Sequence, residues 1–140
     1  MNSIFSIALS GLNAATRRLE VSAANVANAD STGALPDGPG GSPAPFQPLQ
    51  VTQQPLLTGG TNASIGLLQP TTTMQFQPDA PFADANGLVA APTVDLTSEA
   101  LNQIQAVNAY KANLTVLEVA DQRDREAIDS IGRPSRGVSA

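Results

Sequence analysis

A chain of 140 residues with a net charge of −5 is long enough for one domain, but its charge is wrong for binding nucleic acid. No Lys or Arg occurs between Arg18 and Lys111, and the absence of His and Cys removes the usual catalytic pairs and the usual zinc and haem ligands. We therefore expect that the protein is not an enzyme, that it has no cofactor or metal site, and that it binds neither nucleic acid nor a small-molecule substrate.

Two features of the sequence bear on where the chain works. No run of about 18 apolar residues occurs, so no segment is predicted to span a membrane. The apolar residues near the start precede the basic pair Arg17 and Arg18, which is the reverse of the order in a secretory signal peptide. We therefore expect no cleaved signal peptide.

Residues 1–32 are predicted to form the first long helix. Large apolar residues recur there every seven residues, with further ones between them, and this spacing favours a left-handed helix pair. An ordinary helix that faces a core is the alternative interpretation. Gly11 weakens an isolated helix, and we expect it to allow another backbone to approach closely. The apolar stripe consists of Phe5, Leu9, Leu12, Leu19 and Val26.

Residues 33–94 are predicted to contain short strands rather than helices. Ten of the eleven prolines lie in this segment, and they separate short runs of extended character. Pro48 and Pro55 confine the first run to an edge position, and hairpins of this size need support from a helix. A disordered linker is the alternative interpretation. The predicted runs are 46–54, 63–69, 72–77 and 88–94.

Residues 95–132 are predicted to form the second long helix, followed by a tail at 133–140. Asp95 or Thr97 can cap this helix, and Glu99 in its first turn suits the helix dipole. Apolar residues again follow each other at steps of three or four. This second stripe consists of Ile104, Val107, Tyr110, Leu114 and Leu117.

A group of carboxylates lies near the end of this helix. Glu118, Asp121 and Asp124 share one face, and carboxylates can perform acid–base chemistry without His. Arg123 and Arg125 are interleaved with them, however, and Asp121 precedes Arg125 by four residues. We therefore predict a solvated face with salt bridges rather than a catalytic site.

These elements together predict a fold that is mainly α with a small β or irregular insert. The two terminal helices are expected to pair antiparallel as a coiled coil, and the middle segment to form a Pro/Gly-rich domain of β-hairpin type. The strongest elements lie at the two ends of the chain. This arrangement indicates a protein that pairs its ends and packs them against other copies.

Several segments near the two ends of the sequence resemble bacterial flagellar basal-body rod proteins. Residues 8–14 (ALSGLNA) and 18–29 (RLEVSAANVANA) are similar to the amino-terminal signature of that family, and residues 110–113 (YKAN) resemble its carboxyl-terminal motif. Within residues 81–96, the pattern is most like that of a proximal rod protein. The family motif falls on Ser22, Asn25, Ala27, Asn28, Tyr110, Ala112 and Asn113.

The resemblance implies a structural role in motility. Residues 1–32 and 95–132 would form the inner coiled-coil layer of a hollow rod, with assembly interfaces on Phe5, Leu9, Leu12, Leu19 and Val26 and on Ile104, Val107, Leu114 and Leu117. The implied location is the periplasmic rod of the basal body, reached through the flagellum's own export channel. The implied partners are copies of itself, neighbouring rod proteins, basal-body ring components and the export apparatus. An exported soluble coiled-coil binding module or adaptor is the alternative.

Overall fold

The fold is that of a computed structural model, which describes residues 2–36 and 42–132. Two long helices flank, in chain order, a β insert of four short strands. The predicted combination of terminal helices and a small insert is therefore confirmed. A disordered linker is wrong for the described part of the middle segment. In chain order the elements are α1 (Asn2–Ala27), β1 (Leu49–Pro55), β2 (Thr61–Leu67), β3 (Thr72–Phe76), β4 (Leu88–Pro92) and α2 (Leu96–Gly132).

The boundaries of the helices follow from side-chain capping. Asp95 caps α2, because its carboxylate accepts hydrogen bonds from the Thr97 amide at 2.9 Å and from the Ser98 hydroxyl at 2.8 Å. At the end of α1, the Asn28 side chain donates to the Ala24 carbonyl at 2.9 Å, which satisfies one of the last free carbonyls. The capping prediction for Asp95 is confirmed. The tail at 133–140 lies outside the described residues.

The hairpin of β1 and β2 lies along α1, as the need for helical support predicted. The two strands pair antiparallel, with Leu49 opposite Leu67 and Pro55 opposite Thr61. Ser10 accepts from the Thr61 amide at 3.0 Å near the tip, and Arg17 donates to the Ala63 carbonyl at 3.2 Å. These bonds attach the hairpin to the helix over much of its length.

The second sheet is formed by β3 and β4, which also pair antiparallel. Gly33 adds a single bridge to the other side of β4, because it exchanges two backbone hydrogen bonds of 2.9 Å with Ala90. The turn that leads into β4 places Gly87 at φ +76°, which glycine adopts without strain. Strand β4 is the most deeply buried strand, since four of its five residues are buried.

The two helices run antiparallel and differ in length. Gly11 on α1 lies against Asn113 on α2, and Ser22 bonds to Glu99, so the sequence numbers run in opposite directions. Asn2 is nine residues before Gly11, so this register places its partner at about residue 122 of α2. The rest of α2, here called the overhang (residues 123–132), extends past the start of α1. Every residue of α2 from 125 to 132 is exposed.

Candidate assembly surface

The contact between the helices is built from small and polar residues. On α1, Ala8, Ala15 and Ser22 are buried and recur every seven residues. On α2, Glu99, Ala106 and Ala120 are buried at multiples of the same spacing. Small side chains allow two helix axes to approach closely, since the interaxial distance depends on the residues at the contact.

Gly11 makes the closest approach between the two helices. A methyl group added at this position would lie 2.6 Å from Cγ of Asn113, well inside van der Waals contact. The Asn113 side chain is held in place because its amide donates to the Ala109 carbonyl at 2.8 Å. The expected approach of another backbone at Gly11 is therefore wrong, because the group that lies against Gly11 is the Asn113 side chain.

A buried group of polar side chains, here called the polar node, joins α1, α2 and β1. It consists of Ser22, Asn25 and Glu99, which are 2%, 1% and 8% exposed. The Asn25 amide donates to Glu99 Oε1 at 2.7 Å and to the Leu49 carbonyl at 2.8 Å, and its oxygen accepts from the Leu49 amide at 2.9 Å. The Ser22 hydroxyl donates to the Glu99 carbonyl at 3.1 Å.

The polar node explains two positions of the amino-terminal motif. Ser22 and Asn25 link the end of α1 to α2 and β1, because their hydrogen-bond partners lie on those two elements. Asn28 caps α1, and Asn113 fills the space left by Gly11. The structure leaves Ala27, Tyr110 and Ala112 on the surface, where they contribute no buried contact within one copy.

The large apolar stripes lie beside this contact rather than in it. Of the α1 stripe only Leu12 is buried and Phe5 is half-buried, whereas Leu19 and Val26 are exposed and Leu9 is 54% exposed. As the contact between the two helices of one copy, the predicted stripe is therefore wrong at most of its positions. The physical reason is size, since alanines and Gly11 permit a closer pairing than a row of leucines.

The stripe on α2 behaves in the same way. Ile104 is 59% exposed, and Val107, Tyr110 and Leu114 are also exposed, while Leu117 is half-buried. Each helix thus presents a row of apolar side chains to solvent. Such rows are a feature of surfaces that another protein covers.

The buried role of Glu99 was not predicted from the sequence. Its place in the first turn of α2 suited the helix dipole, but its side chain is buried against Asn25. The available signal was its position seven residues before Ala106, which puts it in the row that faces α1.

Two exposed carboxylates are held in their charged form by hydrogen bonds. The Ser98 hydroxyl and the amides of Thr97 and Ser98 lower the pKa of Asp95 below its ordinary value. The Leu88 amide is the main cause that lowers the pKa of Asp84, whose side chain also bonds to Asn86. Both carboxylates fix local backbone geometry, one at the start of α2 and one in the turn before β4.

Other kinds of site receive no support from the described residues. Within 2–36 and 42–132, no cluster of acidic side chains is arranged to hold a metal ion. No helix in these ranges is sufficiently long and apolar to cross a membrane. The carboxylate face of α2 contains the predicted ion pair, with Arg125 Nη2 2.8 Å from Asp121 Oδ2 on the surface.

Paired terminal helices with apolar rows on their outer surfaces define a class of protein, the subunit of a larger assembly. The family model described as flagella basal body rod protein matches residues 5–34 of the chain. That range covers most of α1, including Ser22 and Asn25, and extends to the bridge at Gly33.

Comparison with individual proteins identifies the member of this family that the chain resembles. The flagellar basal-body rod protein FlgC of Yersinia enterocolitica is 45% identical over 118 residues, which cover 81% of this chain and 85% of that protein. FlgC of Salmonella typhimurium is 42% identical with the same coverage. FlgC of Agrobacterium fabrum is 31% identical over 115 residues, or 79% of this chain and 81% of the relative. The chain belongs to the FlgC family of flagellar basal-body rod proteins.

Proposed function

We propose that the chain is a structural subunit of the flagellar basal-body rod, and that copies assemble helically through the apolar rows of α1 and α2. The observation that carries this proposal is the exposure of those rows beside a helix pair built from alanines. Burial of apolar area is worth about 25 cal/mol per Å², so covering such rows provides a driving force for association. Contacts that do not close on themselves build a helical array.

Within the assembly, the helix pair would act as a coiled coil. Buried residues on both helices recur at seven-residue spacing, which is the repeat of a left-handed supercoil. The outer rows would then extend the packing to neighbouring subunits. The pair would form the inner layer of a hollow drive shaft, with the β insert further out.

The partners follow from this role. Copies of the chain, neighbouring rod proteins and basal-body ring components would contact the subunit in the periplasm. The flagellar export apparatus would deliver it. Transmission of torque needs only persistent contacts, so no reaction is part of the role.

The test places a charge in the outer row without disturbing the helix pair. Leu9→Asp should prevent rod assembly and motility, because a carboxylate buried without a partner costs several kcal/mol. Leu57→Asp is the matched control, since it makes the same substitution at a fully exposed leucine in the turn between β1 and β2, outside both helices. Basal bodies isolated from both strains would be compared by electron microscopy. Normal rods in the Leu9→Asp strain would refute the assignment of this row.

A further inference from the structure

A groove of about 790 Å³ lies beside the polar node, and the rod role does not account for it. Its walls come from β1, the second half of α1, the segment between β2 and β3 with the start of β3, the segment that joins β4 to α2, and the start of α2. A volume of this size is within the range of ligand sites, which is roughly 300–1,000 Å³. The groove is therefore large enough to hold a short peptide segment.

One wall of the groove is an unpaired strand edge. The side chain of Asn25 both accepts from the Leu49 amide and donates to the Leu49 carbonyl. These are the two bonds that a neighbouring strand would make with Leu49, so Asn25 stands in for one peptide unit of a missing strand. The Asn25 side chain thus marks where an added strand would begin.

The open edge continues beyond Leu49. Outward-facing backbone groups recur at every second residue of an antiparallel strand, so Val51 and Gln53 face the same side as Leu49. Both residues line the groove. Among the described residues, no hydrogen bond reaches the outward backbone groups of either one. The groove therefore offers a row of free donors and acceptors to an extended chain.

The charge of the groove favours a basic occupant. The carboxylates of Asp95 and Glu99 line it together with one guanidinium, that of Arg18, which already donates to Gln105 Oε1 at 3.1 Å. Thr93, in the same wall, has a buried hydroxyl that lacks a hydrogen-bond partner in the described part of the chain. An extended peptide with an Arg side chain would suit both the open edge and the excess of negative charge.

The chain itself supplies a segment of this chemistry. Residues 133–140 (RPSRGVSA) contain two Arg and no acidic residue, and Pro134 and Gly137 disfavour a helix. This segment cannot reach the groove of its own copy. Thirty residues of α2 separate Gly132 from Asn102 in the groove wall, or roughly 45 Å of helix. Eight extended residues span at most roughly 28 Å.

We propose that residues 133–140 of one copy add as a strand to β1 of the next copy, with an Arg side chain against the exposed carboxylate of Asp95. The inference rests on the proposed function, because it names how one rod subunit contacts the next. A contact between the far end of α2 and a groove at the start of α2 joins two different surfaces. It therefore repeats in one direction without closing.

The test measures binding of a labelled synthetic peptide of residues 133–140 to the full chain by fluorescence anisotropy. Gln53→Pro removes one outward N–H from the groove edge and should weaken peptide binding about tenfold or more. Ile65→Pro is the matched control, because Ile65 faces outward from the opposite edge of the same hairpin. Circular dichroism would verify that both variants keep the fold of the original chain.

The peptide provides a second measurement that does not depend on folding. Positions 133 and 136 are three apart, so their side chains point to opposite faces of an extended segment. We expect only one of the two single Arg→Gln peptides to lose affinity, and the double variant to lose it as well. Equal binding of all these peptides would overturn the inference, and so would equal weakening by Gln53→Pro and Ile65→Pro.

The result can be separated from that of the rod assignment. Absence of peptide binding, together with loss of rods in the Leu9→Asp strain, would overturn the groove inference alone. Specific peptide binding together with normal rods in that strain would overturn the assignment of the apolar row instead.

Discussion

Replacement of Asn25 by Ala tests whether the polar node holds the three parts of the molecule together. The Asn25 side chain makes three hydrogen bonds, two with the Leu49 backbone and one with the Glu99 carboxylate. It is 1% exposed, so water does not replace these bonds unless the structure opens. The substitution would leave Oε1 of the buried Glu99 carboxylate and two strand-edge groups of Leu49 without their partner.

The magnitude follows from the type of each bond. A bond between neutral groups contributes about 1 kcal/mol, and a bond to a charged group about 1.5–3 kcal/mol. The sum for Asn25→Ala is therefore about 3–5 kcal/mol. This is a large share of the total, since domains of this size are stable by about 5–15 kcal/mol.

Urea denaturation followed by far-UV circular dichroism would give the free energy of unfolding. Asn13→Ala is the matched control, because Asn13 is exposed on the same helix and has no hydrogen-bonded role in the described structure. That variant should stay within about 0.5 kcal/mol of the original chain. A loss below about 1 kcal/mol for Asn25→Ala would refute the argument that the node joins the three elements.

Two further predictions concern the helix pair and its cap. Gly11→Ala should lower the melting temperature, because overpacking against Asn113 costs about 1–3 kcal/mol while helix propensity returns only about 1 kcal/mol. Gly66→Ala is the control, because Gly66 has open space around it. An equal change of melting temperature in both variants would contradict the contact between Gly11 and Asn113. In the folded chain the pKa of Asp95 lies below its ordinary value of 3.8, mainly because of the Ser98 hydroxyl. The Asp95 carboxylate therefore stabilises α2 above pH 3.8, and this stabilisation is lost as the pH falls through the lowered pKa of the folded state. In Asp95→Asn, the free energy of unfolding should fall less than in the original chain when the pH is lowered from neutral to below 3.8. The same pH dependence in both chains would show that the charge of the cap contributes nothing to stability.

The elements of the fold could be predicted because their signals are local. Apolar residues at helical spacing predicted both helices, and Pro and Gly separated the four strands. The second helix agrees with its predicted bounds to within one residue, whereas the first ends at Ala27, five residues before the predicted end at 32. The cap at Asp95 and the pair of Asp121 and Arg125 are equally local, since each partner is within four residues. Local chemistry needs no knowledge of the tertiary structure.

The faces of the helices could not be assigned in this way. Leu9, Leu19 and Ile104 carry the strongest periodic signal, but periodicity states only that a face is covered, not by which molecule. The contact within one copy uses Ala8, Ala15 and other small residues, whose signal is weaker. The groove could not be predicted either, because its walls come from parts of the chain that lie far apart in the sequence.

The unequal lengths of α1 and α2 give the subunit a direction. One end of the molecule carries the projecting overhang, and the other carries the polar node and the cap of α2. A stack of copies in one orientation therefore has two chemically different tips. Such a stack would be polar, because one tip would present the ends of the overhangs and the other would present the polar node and the cap of α2.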